Sequence, residues 1–346
     1  MFVSIKIKKT SLMALLLVLL LIVVAVSLLP NSLPVAAQPE EKEYIKWVDF
    51  DVPASLMKRV MEIDIETHDS SAHMRWVDTL AYLGAKYGGD FSKYKKSDLE
   101  SLIEDVQNGE SIASIGEDMK YYAYYKQAYA AVLNGFLGEY EIETEAGWEK
   151  QYGLKAYSPI AKTFPYDDYD DFGASRTYGY DRKHLGHDMM AAVGTPVVAV
   201  ESGIVEVMGW NQYGGWRIGI RSFDGIRYHY YAHLRQNRPF AEDLAEGQTV
   251  MAGDVIGYVG RTGYSAEENI NNIDESHLHY GLQLIFDESQ KEGGSEIWID
   301  VYEICNLLRS NQSETVRNDE TKERTRVQNF REVIPEDCFT LSKGGG

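Results

Sequence analysis

Between Thr195 and Gly263 the chain is written in short β-branched and aromatic runs broken every few residues by glycine, and no helical period survives there. Residues 195 to 207 give two strands interrupted at Ser202-Gly203. Residues 216 to 221 and 226 to 233 flank Asp224-Gly225, a strong signal for a tight hairpin. Residues 246 to 250 and 252 to 257 add two more short strands around glycine turns, ending at Gly260 and Gly263. This stretch reads as a glycine-punctuated β-sheet.

Around that sheet lie six of the eight histidines, all between residues 184 and 279. Five fall in three motifs: His184 to Asp188 with a second histidine at 187, Tyr231 to His233, and His277-Leu278-His279. Side chains on a strand repeat every two residues, so His277 and His279 share one face while Leu278 points to the core. His184 and Asp188 share a face in either a strand or a helix, so the pair can chelate in both geometries. Period two also places His229, Tyr231 and His233 on one face of their strand. Two adjacent imidazoles would repel if both were charged, which favours a shared purpose. A hydrolytic zinc takes three His or carboxylate ligands and leaves a fourth position to water. The clustering therefore points to a metal site.

The ordered series formed by Phe172-Gly173, Arg176, the His184-x-Gly186-x-Asp188 box, Gly194 to Val197, Tyr231 to Leu234, Gly247-Gln248-x-Val250, Gly253-x-x-Ile256-Gly257, Gly260-x-Thr262-Gly263 and His277-x-His279 resembles the M23 family of zinc metallopeptidases. These are the lysostaphin-like or LytM-type endopeptidases of bacterial peptidoglycan. The resemblance spans roughly residues 155 to 290. It implies one zinc ion held by His184, Asp188 and His279, with His277 and His233 as the catalytic histidines beside water and substrate. Of these two, His277 is favoured as the base and His233 as the group that helps stabilise the oxyanion. Family members often place a Tyr before the first ligand, so Tyr178 and Tyr180 are candidate transition-state or substrate contacts. His229 is a third candidate, for the cleft or its surroundings. His187, in odd register, should face away. Residues 264 to 276 are an insertion relative to the family, expected at the rim of the cleft, where it could gate or select substrate.

Upstream, residues 38 to 150 read as a separate helical accessory domain that positions the enzyme or binds a protein partner. Pro53 opens one helix, residues 74 to 87 end at Gly88-Gly89, Ser97 and Glu100 suggest a capping box, and residues 119 to 136 form a Tyr- and Ala-rich helix. His68 and His73 have no partner at ligand spacing. The expected fold class is thus α+β: an N-terminal helical domain plus a mainly antiparallel β-sheet M23-type catalytic domain over 151–296. A C-terminal extension, 297–346, starts as a strand or short helix and becomes charged and mobile after Ser313.

Lys6, Lys8 and Lys9 precede an uncharged apolar run from Leu12 to Leu29, and residues 35 to 37 resemble a cleavage site. Residues 1–37 are therefore expected to be a signal peptide or membrane anchor, exporting the rest to the membrane face or the wall. The chain carries a net charge of −19, and about −22 without that basic leader. Such acidity argues against nucleic acid as a partner and against loose adhesion to an anionic wall polymer. Cys305 and Cys338 could pair but make neither a disulfide framework nor a zinc motif. The expected activity is zinc-dependent hydrolysis of stem or cross-link peptides. The alternative is a catalytically silent scaffold or activator of another wall hydrolase.

Overall fold

A computed structural model describes residues 44–177, 181–291 and 293–341. The leader and the two tyrosines Tyr178 and Tyr180 lie outside the described residues. Among the described residues no helix is long and apolar enough to cross a membrane.

The first part is helical: α1 (Ala54–Thr67), α2 (Trp76–Tyr87), α3 (Lys96–Gln107), α4 (Ile112–Gly116) and α5 (Tyr122–Leu133). Pro53 precedes α1, where its missing N–H costs nothing. Gly88 ends α2 at φ 65°, a left-handed turn that glycine adopts without steric penalty. The capping box expected at Ser97 does not form, because α3 begins two residues earlier than that box requires and Lys95 occupies the cap. Apolar faces of these helices meet around Leu80, Leu83, Phe91, Tyr129 and Val132, all buried.

A hairpin, β1 (Leu137–Thr144) and β2 (Gly147–Leu154), leads into short strands β3 (Tyr166–Asp168), β4 (Ser175–Thr177) and β5 (Asp181–Lys183). Then come β6 (His187–Ala191), β7 (Pro196–Val198), β8 (Gly203–Asn211), β9 (Gly215–Ser222), β10 (Arg227–Ala232), β11 (Thr249–Val250), β12 (Val255–Tyr258) and β13 (His277–Leu284). The chain continues through β14 (Ile297–Ile299), α6 (Tyr302–Leu308), β15 (Thr315–Arg317), β16 (Arg324–Arg326) and β17 (Phe330–Arg331). The main sheet runs β11-β8-β9-β10-β13-β6-β3, with β14 beside β13, and its pairs are antiparallel. The α+β class is borne out. The hairpin expected at Asp224-Gly225 is present: Gly225 has φ 74° and Asp224 accepts from the Ile226 amide.

From Ile45 on, the described residues make one unit with a continuous apolar core from Val48 to Leu308. An ion cluster lies within it: buried Arg227 holds Glu201 through two bonds of 2.8 and 2.9 Å and donates to the Ala131 carbonyl at the end of α5. The segment after Ser313, which composition marks as mobile, is held by paired charges and buried hydroxyls. Ser313 donates to the Gly253 carbonyl, Tyr258 donates to Glu323 at 2.6 Å, Arg326 reaches Asp254, and β17 pairs with β1. Cys305 is buried, Cys338 is half-buried, and both are free thiols.

Candidate metal and catalytic centre

β13 runs between β10 and β6, and its register builds the centre. His279 stands directly opposite Asp188 on β6 and Ala232 on β10. His184 lies just beyond β5, fixed by its amide to the Ala174 carbonyl and by its own carbonyl to the Gly173 amide, both at 2.8 Å. At Gly186, between the two motif residues, a Cβ would come within 2.6 Å of the His279 ring and 2.8 Å of the Tyr280 carbonyl. Only glycine lets the loop pass this close.

Three donor atoms converge as a result. His184 Nε2 lies 3.0 Å from Asp188 Oδ1 and 3.0 Å from His279 Nδ1, and His279 Nδ1 lies 2.9 Å from Asp188 Oδ1. Tetrahedral zinc with bonds near 2.0–2.1 Å has ligand-to-ligand edges of about 3.3 Å, close to this triangle. With both imidazoles neutral, lone pairs crowd one point unless a proton or cation lies between them. Two imidazoles and a carboxylate also suit zinc chemically. The residues therefore fit a zinc ion.

The surroundings favour the ligating forms of Asp188 and His279. Burial opposes ionisation of Asp188, but the facing His184 and His279 nitrogens more than offset it and hold the carboxyl well below the usual range. Asp171, which sequence reasoning missed, accepts from His184 Nδ1 at 2.9 Å and so orients the ring. The signal was available: a ligating histidine usually gives its other N–H to a carboxylate, and Asp171 adjoins the quoted Phe172-Gly173. Arg176 bridges Asp171 and Asp188. His187 faces away, as expected, and bonds Asp168 at 2.9 Å.

His277 and His233 lie beside the triangle, their rings 4.8 Å apart. His277 Nδ1 is 2.9 Å from the Glu275 carbonyl and His233 Nδ1 is 2.9 Å from the Thr262 carbonyl. A carbonyl only accepts, so each Nδ1 carries the proton and each Nε2 of a neutral ring keeps its lone pair. Burial, followed by the neighbouring His277 and His279, holds His233 neutral well below its ordinary value.

His229 is not in the cleft. It is fully buried, bonded to Tyr280 and to Glu201, both at 2.9 Å. The alternation that grouped it with His233 fails because β10 ends at Ala232 and His233 takes a left-handed φ of 60°. That reversal turns His233 toward the centre while His229 and Tyr231 stay on the core face. The alternate face supplies Tyr230 and Ala232 to the cleft.

The cleft encloses about 530 Å³ and includes Arg182, Arg217, Tyr213, Tyr230 and Tyr264 with His184, Asp188, His279 and His233. Tyr264, first residue of the 264–276 segment, accepts from Arg182 and lies 5.8 Å from the His233 ring. The 264–276 segment is tied down by Asn269, which accepts from Trp216 Nε1 and from the Asn237 amide, each at 2.8 Å.

The sequence model of Peptidase family M23 matches residues 182–291, the segment that contains the whole centre. These residues are an M23 peptidase domain. The chain is 42% identical over 124 residues to the L-Ala–D-Glu endopeptidase of Bacillus subtilis, covering 36% of each chain. It is 37% identical over 98 residues to lysostaphin of Staphylococcus staphylolyticus, covering 28% of this chain and 18% of lysostaphin. The chain thus spans about a third or less of these curated relatives. The fold is shared with a crystal structure assigned as a glycyl-glycine endopeptidase LytM from Ruminococcus gnavus. That match has a TM-score of 0.51 and 24% identity over 81% of this chain and 94% of the other.

Proposed function

We propose that the protein is a zinc-dependent endopeptidase that hydrolyses peptide bonds of bacterial peptidoglycan outside the cytoplasm, with His184, Asp188 and His279 holding the metal. The observation that carries this reading is the convergence of those three donor atoms at 2.9–3.0 Å beside two more histidines whose Nδ1 atoms each meet a backbone carbonyl. A bound zinc ion supplies Lewis acidity toward the scissile carbonyl and acidifies water.

The remaining chemistry belongs to the chain. His277 Nε2 accepts a proton from the attacking water, and the charge so formed lies 3.7 Å from Asp188 Oδ1, which stabilises it. His233, held neutral, accepts at Nε2 and orients the incoming water or substrate N–H; after taking a proton it can donate to the oxyanion.

Substrate preference follows from charge. In a chain of net charge −19, Arg182 and Arg217 line the cleft, and Arg217 has no ion-pair partner among the described residues. Such a cleft suits a stem peptide with a free carboxylate near the scissile bond better than an uncharged glycine bridge. The name of the Bacillus subtilis relative, which cuts beside D-Glu, agrees with that preference.

Mass spectrometry of peptidoglycan digested by the purified protein tests the reading. New peptide termini that vanish with a zinc chelator and with His277→Ala are expected, at a bond next to an acidic residue. No release from several wall types by zinc-loaded protein would sink it.

A further inference from the structure

A second cluster with zinc-like donors lies in the helical part, built from residues that take no part in the cleft. Asp64 and His68 stand one turn apart at the end of α1, and the connection to α2 returns His73 to the same place. His73 Nε2 is 2.7 Å from Asp64 Oδ1, and donor atoms of Asp64, His68 and His73 all lie within 4.8 Å of one another. The sequence hid this trio: the Asp64 to His68 spacing is ligand-like only because α1 is helical there, and His73 arrives by a turn.

Two observations distinguish the cluster from an ordinary hydrogen-bonded helix end. First, the Asp64 carboxylate is 3% exposed, yet no Lys or Arg nitrogen is within ion-pair distance of it among the described residues. A buried carboxylate without a cation is costly, and a histidine or a metal must meet the charge. Second, His68 Nδ1 is buried with no hydrogen-bond partner. Its ring stacks on Tyr152 at 3.5 Å and stands perpendicular to His73 at 5.3 Å, so the two imidazoles meet edge to face rather than stacked on each other. Tyr152 of β2 donates to Asp64 Oδ1 at 2.8 Å and the Trp76 amide donates to Oδ2 at 2.6 Å, which orients the carboxylate as outer partners orient ligands.

We propose that Asp64, His68 and His73 bind a divalent transition-metal ion of the zinc class at a structural site that clamps the α1–α2 connection onto β2. Drawing the donors from 4.8 Å to edges of about 3.3 Å takes side-chain rotations at the partly exposed His68 and His73, next to the exposed Asp69, Ser70 and Ser71.

The test is zinc stoichiometry by elemental analysis of the tag-free full chain after equilibration with zinc alone and gel filtration. In a His184→Ala/His279→Ala background one tightly held zinc per chain is expected, and adding His68→Ala removes it. In the otherwise unaltered protein, His73→Ala lowers bound zinc from two to one while peptidoglycan hydrolysis stays unchanged. Zinc raises the melting temperature of the background protein but not of its His73→Ala form. No zinc in the background protein, or zinc that persists through both His68→Ala and His73→Ala, overturns the proposal. If His68→Ala fails to fold by circular dichroism, Asp64→Asn, which keeps one acceptor oxygen and drops the charge, decides the matter by the same readout.

Discussion

Replacing Gly186 with alanine tests how tightly the loop, the sheet and the metal ligand are coupled. The added Cβ would meet His279 ring atoms at 2.6 Å and the Tyr280 carbonyl at 2.8 Å. Carbon contacts normally settle near 3.5–4.0 Å, so the overlap is about 1 Å on two sides. One side is backbone in the central strand and cannot yield cheaply. The His279 ring must turn or the 184–188 loop must lift, and either pulls one corner of a triangle whose edges are 2.9–3.0 Å. Overpacking of this kind costs roughly 1–3 kcal/mol. If the ligands bear the strain, zinc affinity falls about 5- to 140-fold, at 1.4 kcal/mol per tenfold. Competition with a chromophoric chelator at fixed pH measures the affinity, and a melt of the metal-free protein measures what the fold absorbs. Affinity and metal-free melting temperature both unchanged would refute the reasoning, since the overlap would then be relieved without cost to either.

Three further outcomes are expected. His277→Ala and His233→Ala should each lower the rate of stem-peptide hydrolysis by about 10²–10⁴-fold while bound zinc stays the same, measured by fragment release beside elemental analysis. Arg217→Ala should raise KM for a carboxylate-bearing peptide by roughly tenfold, the worth of one charge-assisted hydrogen bond, with little change for an amidated peptide. Glu201→Ala removes the buried carboxylate shared by Arg227 and His229, leaving Arg227 with the half-exposed Asp224, and should cost about 3 kcal/mol in denaturant unfolding. Burial opposes the Glu201 charge but Arg227 and His229 outweigh it, so the folded carboxyl sits far below its ordinary value of 4.5. Its stabilisation is therefore complete above about that pH and is lost as pH falls below it, and the variant's unfolding should lose this acid-side slope.

Much of the centre was legible because its chemistry is local. A His-x-His pair on a strand needs only the two-residue repeat to share a face, and glycine punctuation with Asp224-Gly225 is enough to announce a sheet of hairpins. The helix from Trp76 ends where its glycines stand, since only they accept the left-handed turn cheaply. Other features depend on atoms far apart in the chain. The register that sets His279 against Asp188 is a property of two strands about 90 residues apart. His229 and His233 looked equivalent until one positive φ separated a core side chain from a cleft side chain. The charged C-terminal segment reads as solvated from composition alone, and only the fold supplies Tyr258, Arg238 and Asp254 to pair with it. Asp64, His68 and His73 likewise become a cluster only when a turn folds back over a helix end. The sequence by itself determined which donors and turns exist, because these follow from side-chain chemistry and short-range sterics. Tertiary structure decided which of them meet, because burial and hydrogen-bond partners are set by neighbours that no local spacing encodes.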